Sequence, residues 1–204
     1  MAERVEDPVP PVGDPYPAGP AEVREVVYDN ALVLVRLRDA AKMIEGGRED
    51  ADYLVGADYT IRWRGSDGQG GTVTVPRGMP TDLTSVPRPF RWLIGRVGPW
   101  LEAAIVHDWL CVAWWWVDGR PSRDRRRFAD DVMLAAMAAA EVNPVVRTLI
   151  WWAVRLAGHF HYDRRPMLTF IDFDAAEYRA QLPPGVRLPG YDATGAATDG
   201  GGVA

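Results

Sequence analysis

The chain has 204 residues, 48 % of them hydrophobic, which is enough for one domain with a substantial core. Its formal net charge of −5 excludes a chain-wide electrostatic nucleic-acid binder. Cys111 is the only cysteine, so neither a disulfide framework nor a cysteine-based zinc cluster can form.

Residues 1–21 hold Pro8, Pro10, Pro11, Pro15, Pro17 and Pro20 and read as a flexible tail, acidic and unlike a secretory signal. Residues 22–182 read as a single domain, and the Gly/Ala-rich residues 183–204 as a second flexible tail. No stretch reaches the roughly 18 uninterrupted apolar residues of a membrane span. The expected setting is therefore cytoplasmic, or virion-associated after assembly.

Within the domain, residues 31–37 alternate as a strand does, and residues 40–45 fit a short helix. Tyr59, Ile61 and Trp63 alternate with Thr60, Arg62 and Arg64, predicting a half-buried strand, and Val73 and Val75 repeat the pattern. Residues 65–71 between them are the Gly-rich connection of a hairpin. Pro87 and Pro89 end the strand pattern, and residues 90–94 fit one turn of helix.

Pro99 can open a helix running to about Trp116. After Gly119 and Pro121, Ser122 is an N-cap for a second helix over residues 123–142. Asn143 and Pro144 are a cap and first-turn pair for a third, running to about Leu156, with Gly158 as a left-handed stop. Strands followed by segregated helices predict an α+β domain, a small antiparallel β part followed by a three-helix part.

The first long helix carries His107 and Asp108 among Leu101, Ala104, Ile105, Leu110, Val112 and three tryptophans. Ionisable groups in such company need partners or a task. Adjacent helical side chains diverge by about 100°, so the pair serves two neighbouring tasks rather than gripping one atom. An imidazole can take a proton from water near neutral pH, and a carboxylate beside it can hold a hard cation.

Asp130 and Asp131 on the next helix can pair with Arg126 and Arg127 four residues earlier. One of them can instead accept the Nδ1–H of His107 and orient the ring, as catalytic dyads require, and Asp130 is the candidate. The bland alternative is a buried polar network that fixes helix packing. Thr81, Asp82, Ser85 and Pro87 lie in an irregular turn that can support this site; a Ser85 nucleophile is a weaker option because no nucleophile elbow is present.

Arg123 and Arg126 crowd a helix start where the macrodipole favours acids, and are candidates for contact with an anion or a partner protein. His159 and His161 project to one side if extended, which suits zinc if further ligands join them.

Four blocks in order carry a family resemblance. They are Val73-Thr-Val-Pro-Arg-Gly-Met-Pro-Thr-Asp-Leu-Thr-Ser-Val-Pro87, Ala103-Ala-Ile-Val-His-Asp-Trp-Leu110, Ser122-Arg123 with Ala129-Asp130, and Val154-Arg155-Leu-Ala-Gly158. Over roughly residues 72–158 the chain resembles the phage and prophage family known as domain of unknown function 1353, with Cys111 where that family has tyrosine. The resemblance implies a phage setting, with phage structural proteins or a lipid or cell-wall substrate as partners.

The spacing of His107, Asp108 and Asp130 is also similar to the active site of phospholipase A2, particularly the viral type. That similarity implies His107 as general base, Asp108 as a calcium ligand and Asp130 as the orienting acid. Met133 stands where that pattern has phenylalanine, and no glycine-rich calcium loop precedes it. Together these readings give two expectations. The first is a His/Asp-dependent hydrolase, calcium-assisted or not, acting on an ester or peptidoglycan-related bond. The second is a non-catalytic tail or assembly protein.

Overall fold

The computed structural model describes residues 13–36, 53–81, 98–158, 162, 170 and 180–181. Among these residues six strands come first: β1 (Val23–Tyr28), β2 (Leu34–Val35), β3 (Tyr53–Val55), β4 (Tyr59–Gly65), β5 (Gly70–Val75) and β6 (Pro80–Thr81). Four helices follow among the described residues: α1 (Leu101–Val112), α2 (Trp114–Val117), α3 (Arg123–Ala139) and α4 (Pro144–Gly158). The strands form two antiparallel three-stranded sheets, ordered β1-β4-β5 and β2-β3-β6. The architecture is α+β, as the sequence predicts.

The period-2 pattern of β4 and β5 directs one face inward. Tyr59, Ile61, Val73 and Val75 are fully buried and Trp63 nearly so, while Arg62 and Arg64 face outward. Tyr59 pairs with Val75, Ile61 with Val73, and Trp63 with Gly71. A Cβ on Gly71 would lie 3.0 Å from the Trp63 indole nitrogen, so the bare glycine lets the ring lie against the strand. The β4–β5 turn uses Gly68 at φ 81°, and Asp67 Oδ1 accepts from Gln69 N at 3.0 Å.

Helix α3 packs across β1 and against α1, and α4 packs on α3. Trp63 meets Phe128 of α3 edge-on at 5.0 Å between centroids, which joins the sheet to the helices in one core. Fully burying a side chain of this kind is worth about 1.5–3 kcal/mol.

The predicted caps form. Ser122 Oγ accepts from Asp124 N at 3.2 Å, and Asn143 Oδ1 accepts from Val145 N at 2.9 Å.

Several boundaries differ from the sequence reading. The strand expected over residues 31–37 is reduced, among the described residues, to Leu34 and Val35. β1, β3 and β6 were not anticipated at all. The helix expected through Val142 ends at Ala139, because Glu141 adopts φ 56° and Val142 N donates back to Met137 O at 2.9 Å. The short helix expected over residues 40–45 and the turn of helix expected over 90–94 lie outside the described residues.

The helix expected to run unbroken to Trp116 is interrupted at Ala113. The Tyr16 hydroxyl accepts from Trp114 N at 3.0 Å and donates to Leu110 O at 2.5 Å. It thus stands in place of the direct Trp114-to-Leu110 bond of a continuous helix, the known cause of a local break. Tyr16, from the proline-rich segment, is buried, and Arg125 lies 4.8 Å from its ring centroid.

Candidate functional site

Helix α1 is apolar on nearly all sides, so it runs through the core and buries Ala103, Ile105, Val106, His107, Trp109 and Leu110. Helix α3 is amphipathic. Its inner face carries Phe128, Ala129, Val132, Met133 and Ala136, and its alanines let α1 lie close. Asp130 sits on that inner face with 3 % of its side chain exposed, and His107 opposite it with 11 %.

The two meet: His107 Nε2 is 3.0 Å from Asp130 Oδ1, across 23 residues of sequence. The pairing expected from sequence therefore forms, but through Nε2 rather than Nδ1. Nδ1 is the ring nitrogen turned away from the carboxylate.

Cys111, one helical turn on, places Sγ 3.8 Å from Nδ1 and 3.6 Å from Nε2. The thiol is thus within sulfur hydrogen-bond distance of both ring nitrogens.

Arg155 of α4 completes the cluster. Its Nη1 is 3.7 Å from Asp130 Oδ2 and 3.8 Å from Asp131 Oδ1, and its guanidinium lies 4.7 Å from the Trp151 ring centroid. In the sequence, Arg126 and Arg127 offer an in-helix partner for one of the two acids; the cation that spans both of them comes from α4. Burial raises the Asp131 carboxyl above its usual value, and Arg155 opposes that rise.

Burial alone would push the His107 imidazole down. The Cys111 sulfur and the hydrogen bond and charge of Asp130 outweigh it and hold the ring protonated well above the ordinary 6.5. The Asp130 side chain approaches Nε2 at 3.0 Å, closer than the Cys111 sulfur at 3.6 Å.

The other predicted residues are distributed as follows. Asp108 is half-buried and engaged in an interaction of its own. Thr81, the last residue of β6, is buried. Asp82, Ser85 and Pro87, the rest of the expected supporting turn, lie outside the described residues, as do His159 and His161. Arg123 is exposed at the start of α3, and Arg126 is half-buried and engaged. Between them, Arg125 grips Asp118 with both nitrogens, at 2.7 and 3.0 Å, and this hydrogen bonding lowers the Asp118 carboxyl.

Calcium takes six to eight oxygen ligands. The groups placed around His107 are a thiol, a carboxylate committed to the ring and a guanidinium, which is not such a shell. Among the described residues no group of three or more His, Cys, Asp or Glu side chains is arranged to hold a metal ion.

Residues 58–154 match the model of a family described as a protein of unknown function, DUF1353. The match supports the family resemblance read from the four blocks; it begins at the edge of β4 and ends inside α4. No curated protein and no solved structure matches the chain. The DUF1353 segment contains the whole of α1 and α3, and so both His107 and Asp130. Arg155 lies one residue beyond it. Among the described residues, no helix is long and apolar enough to cross a membrane.

Arg155 and Cys111 are the members of the cluster that the sequence reading left out. The spacing of four from His107 was a usable signal for Cys111. Arg155 stands in the last of the four resemblance blocks, Val154-Arg155-Leu-Ala-Gly158, but its spacing does not show which acids it meets.

Proposed function

We propose that the chain is a His/Asp-dependent hydrolase of phage origin, with His107 as general base and Asp130 as the residue that orients it. The observation that carries this reading is the 3.0 Å contact between His107 Nε2 and Asp130 Oδ1. It engages the ring through Nε2; on this reading Nδ1, which the Cys111 thiol also approaches at 3.8 Å, is the nitrogen that meets a water molecule.

In the proposed step, Nδ1 removes a proton from water as the water oxygen attacks the carbonyl carbon of an ester or a peptidoglycan-related amide. The bond to the leaving oxygen or nitrogen then breaks, and that atom takes the proton back from the ring. Asp130 offsets the imidazolium charge that forms in between. The donor set around His107 does not favour a calcium-assisted version, so the step uses water and these two side chains. The substrate would be a lipid or cell-wall component met in the cytoplasm or from an assembled particle.

Because the ring is held protonated above 6.5, the free base grows in as pH rises, and turnover should rise into the alkaline range. Hydrolysis of short-chain nitrophenyl esters and of purified peptidoglycan, followed against pH, tests this. Loss of turnover in His107→Gln, with a variant still folded by circular dichroism, supports the reading. Equal rates in wild type and variant remove it.

A second reading is favoured by the Arg155 contacts. Asp130 is shared between His107 and Arg155, so one carboxylate ties α1, α3 and α4 together. On that reading the cluster specifies helix packing in a tail or assembly protein, and His107→Gln lowers stability with no turnover to lose.

A further inference from the structure

Cys111 follows His107 by four residues on α1, so one helical turn brings its thiol to the imidazole. Its Sγ lies 3.8 Å from Nδ1 and 3.6 Å from Nε2, within sulfur hydrogen-bond distance of both. Asp130 Oδ1 is nearer to Nε2, at 3.0 Å, and a carboxylate there keeps a proton on that nitrogen. In the neutral ring the lone pair that can accept a thiol proton is therefore on Nδ1. The three side chains stand as a nucleophile, a base and the group that orients the base.

Burial grades the same three outward. The Asp130 side chain is 3 % exposed and that of His107 11 %, whereas Cys111 is half-buried. The thiol is thus the member of the cluster best placed to meet a carbonyl from solvent. Cys111 is also the only cysteine in the chain, so a disulfide within the chain does not account for it.

We propose that Cys111 is the nucleophile of the hydrolase, and that the acyl group passes through a thioester on its Sγ before water releases it. This rests on the hydrolase reading above and places a covalent step ahead of the attack by water. In the first half, the thiol proton moves to Nδ1 as Sγ bonds to the carbonyl carbon. The bond from that carbon to the leaving oxygen or nitrogen breaks, and the leaving atom takes the proton from Nδ1. In the second half, Nδ1 takes a proton from water as the water oxygen attacks the thioester carbon. The carbon–sulfur bond breaks, and Sγ recovers the proton from the ring. Ester or amide plus water gives acid plus alcohol or amine, and the thiol is restored. Asp130 offsets the imidazolium charge in both halves. Within peptidoglycan this chemistry selects amide bonds over glycosidic bonds, whose hydrolysis uses a pair of carboxylates flanking the scissile bond.

Rapid-mixing kinetics of the full chain with p-nitrophenyl acetate test this, with acid-quenched mass spectrometry to locate the acetyl group. The expected result is a burst of nitrophenolate approaching the concentration of the chain, and an acetyl adduct on Cys111. Cys111→Ala, still folded by circular dichroism, should lose the burst, the adduct and at least about a hundredfold in turnover. His107→Gln should slow acetylation of Cys111 by at least about tenfold, which separates a base-activated thiol from one that is merely accessible.

Wild-type turnover in Cys111→Ala, where His107→Gln has none, overturns the proposal and leaves His107 acting on water directly. Acetylation as fast in His107→Gln as in the wild type overturns it too. A wild type that turns over neither this ester nor purified peptidoglycan removes the hydrolase reading and the proposal with it.

Discussion

The Tyr16 hydroxyl occupies the place in the helix ladder where Trp114 N would meet Leu110 O. One phenol, from a segment rich in prolines, satisfies a backbone donor and a backbone acceptor that are both buried. The Trp114 indole does related work by donating to Cys111 O at 3.0 Å, a second carbonyl at the same break. The interruption between α1 and α2 is therefore a hydrogen-bonded joint rather than a frayed end.

Removing only that oxygen should be costly. In Tyr16→Phe the ring keeps its packing on Phe128, 6.4 Å between centroids, but the two backbone groups lose their partner. We expect a loss of about 1–3 kcal/mol in urea unfolding with an unchanged slope. A loss below about 0.5 kcal/mol would mean that the ladder closes directly and the joint is dispensable.

The His107–Asp130 contact should appear in the pH dependence of stability. The folded-state value of His107 lies above its unfolded value near 6.5, so folding tightens its hold on the proton. The stabilisation is fully present below about 6.5 and is lost as pH rises through the folded value. Urea unfolding of wild type and Asp130→Asn over a pH series should show a gap that narrows toward alkaline pH. NMR titration should show the His107 ring moving down in the variant. A gap independent of pH, or a His107 ring already titrating near 6.5 in wild type, contradicts the assignment.

The parts of the fold that were legible in the sequence are those with a long, regular signal. β4 and β5 alternate over enough residues to show their buried face, and Ser122 and Asn143 announce helix starts by cap chemistry that needs no tertiary partner. β2 and β6 have two residues each and β3 has three, too few to establish a period. β1 is longer, but its register shifts between Val23 and Glu25, and two adjacent valines blur its alternation. Pro80 argues against a strand by rule and is tolerated because β6 lies at a sheet edge.

In the site, His107 and Asp130 were visible as polar residues on apolar helix faces. The choice of ring nitrogen was not, because it depends on how two helices cross. Arg155 was hidden for the same reason: a tertiary contact competed with an in-helix pairing of plausible spacing, and sequence shows only the latter.

Arg155 offers a direct measure of how far the cluster holds the helices together. It is 30 % exposed, so its charge interactions are partly screened, and its stacking on Trp151 adds to them. Arg155→Met should cost about 1–2 kcal/mol. Combined with Asp131→Asn in a double-mutant cycle, it should give a coupling of about 0.5–1 kcal/mol that shrinks at high salt. A coupling near zero would reduce the 3.8 Å approach to proximity without energy.

The turn between α3 and α4 allows a prediction of the opposite sign. Glu141 is a non-glycine residue at φ 56°, where the left-handed conformation costs an L-residue about 1–2 kcal/mol. Its side chain is exposed, and the turn rests on the Val142 N to Met137 O bond, which any residue at position 141 would leave intact. Glycine there removes the conformational cost but loosens the unfolded chain, which returns part of the gain. Glu141→Gly should therefore stabilise the protein by up to about 1 kcal/mol. Glu141→Ala, with a Cβ in the same conformation, should not. Thermal unfolding of the two variants side by side separates the backbone effect from loss of the carboxylate, because both lack the charge. Equal melting temperatures would show that the left-handed turn is not a site of strain.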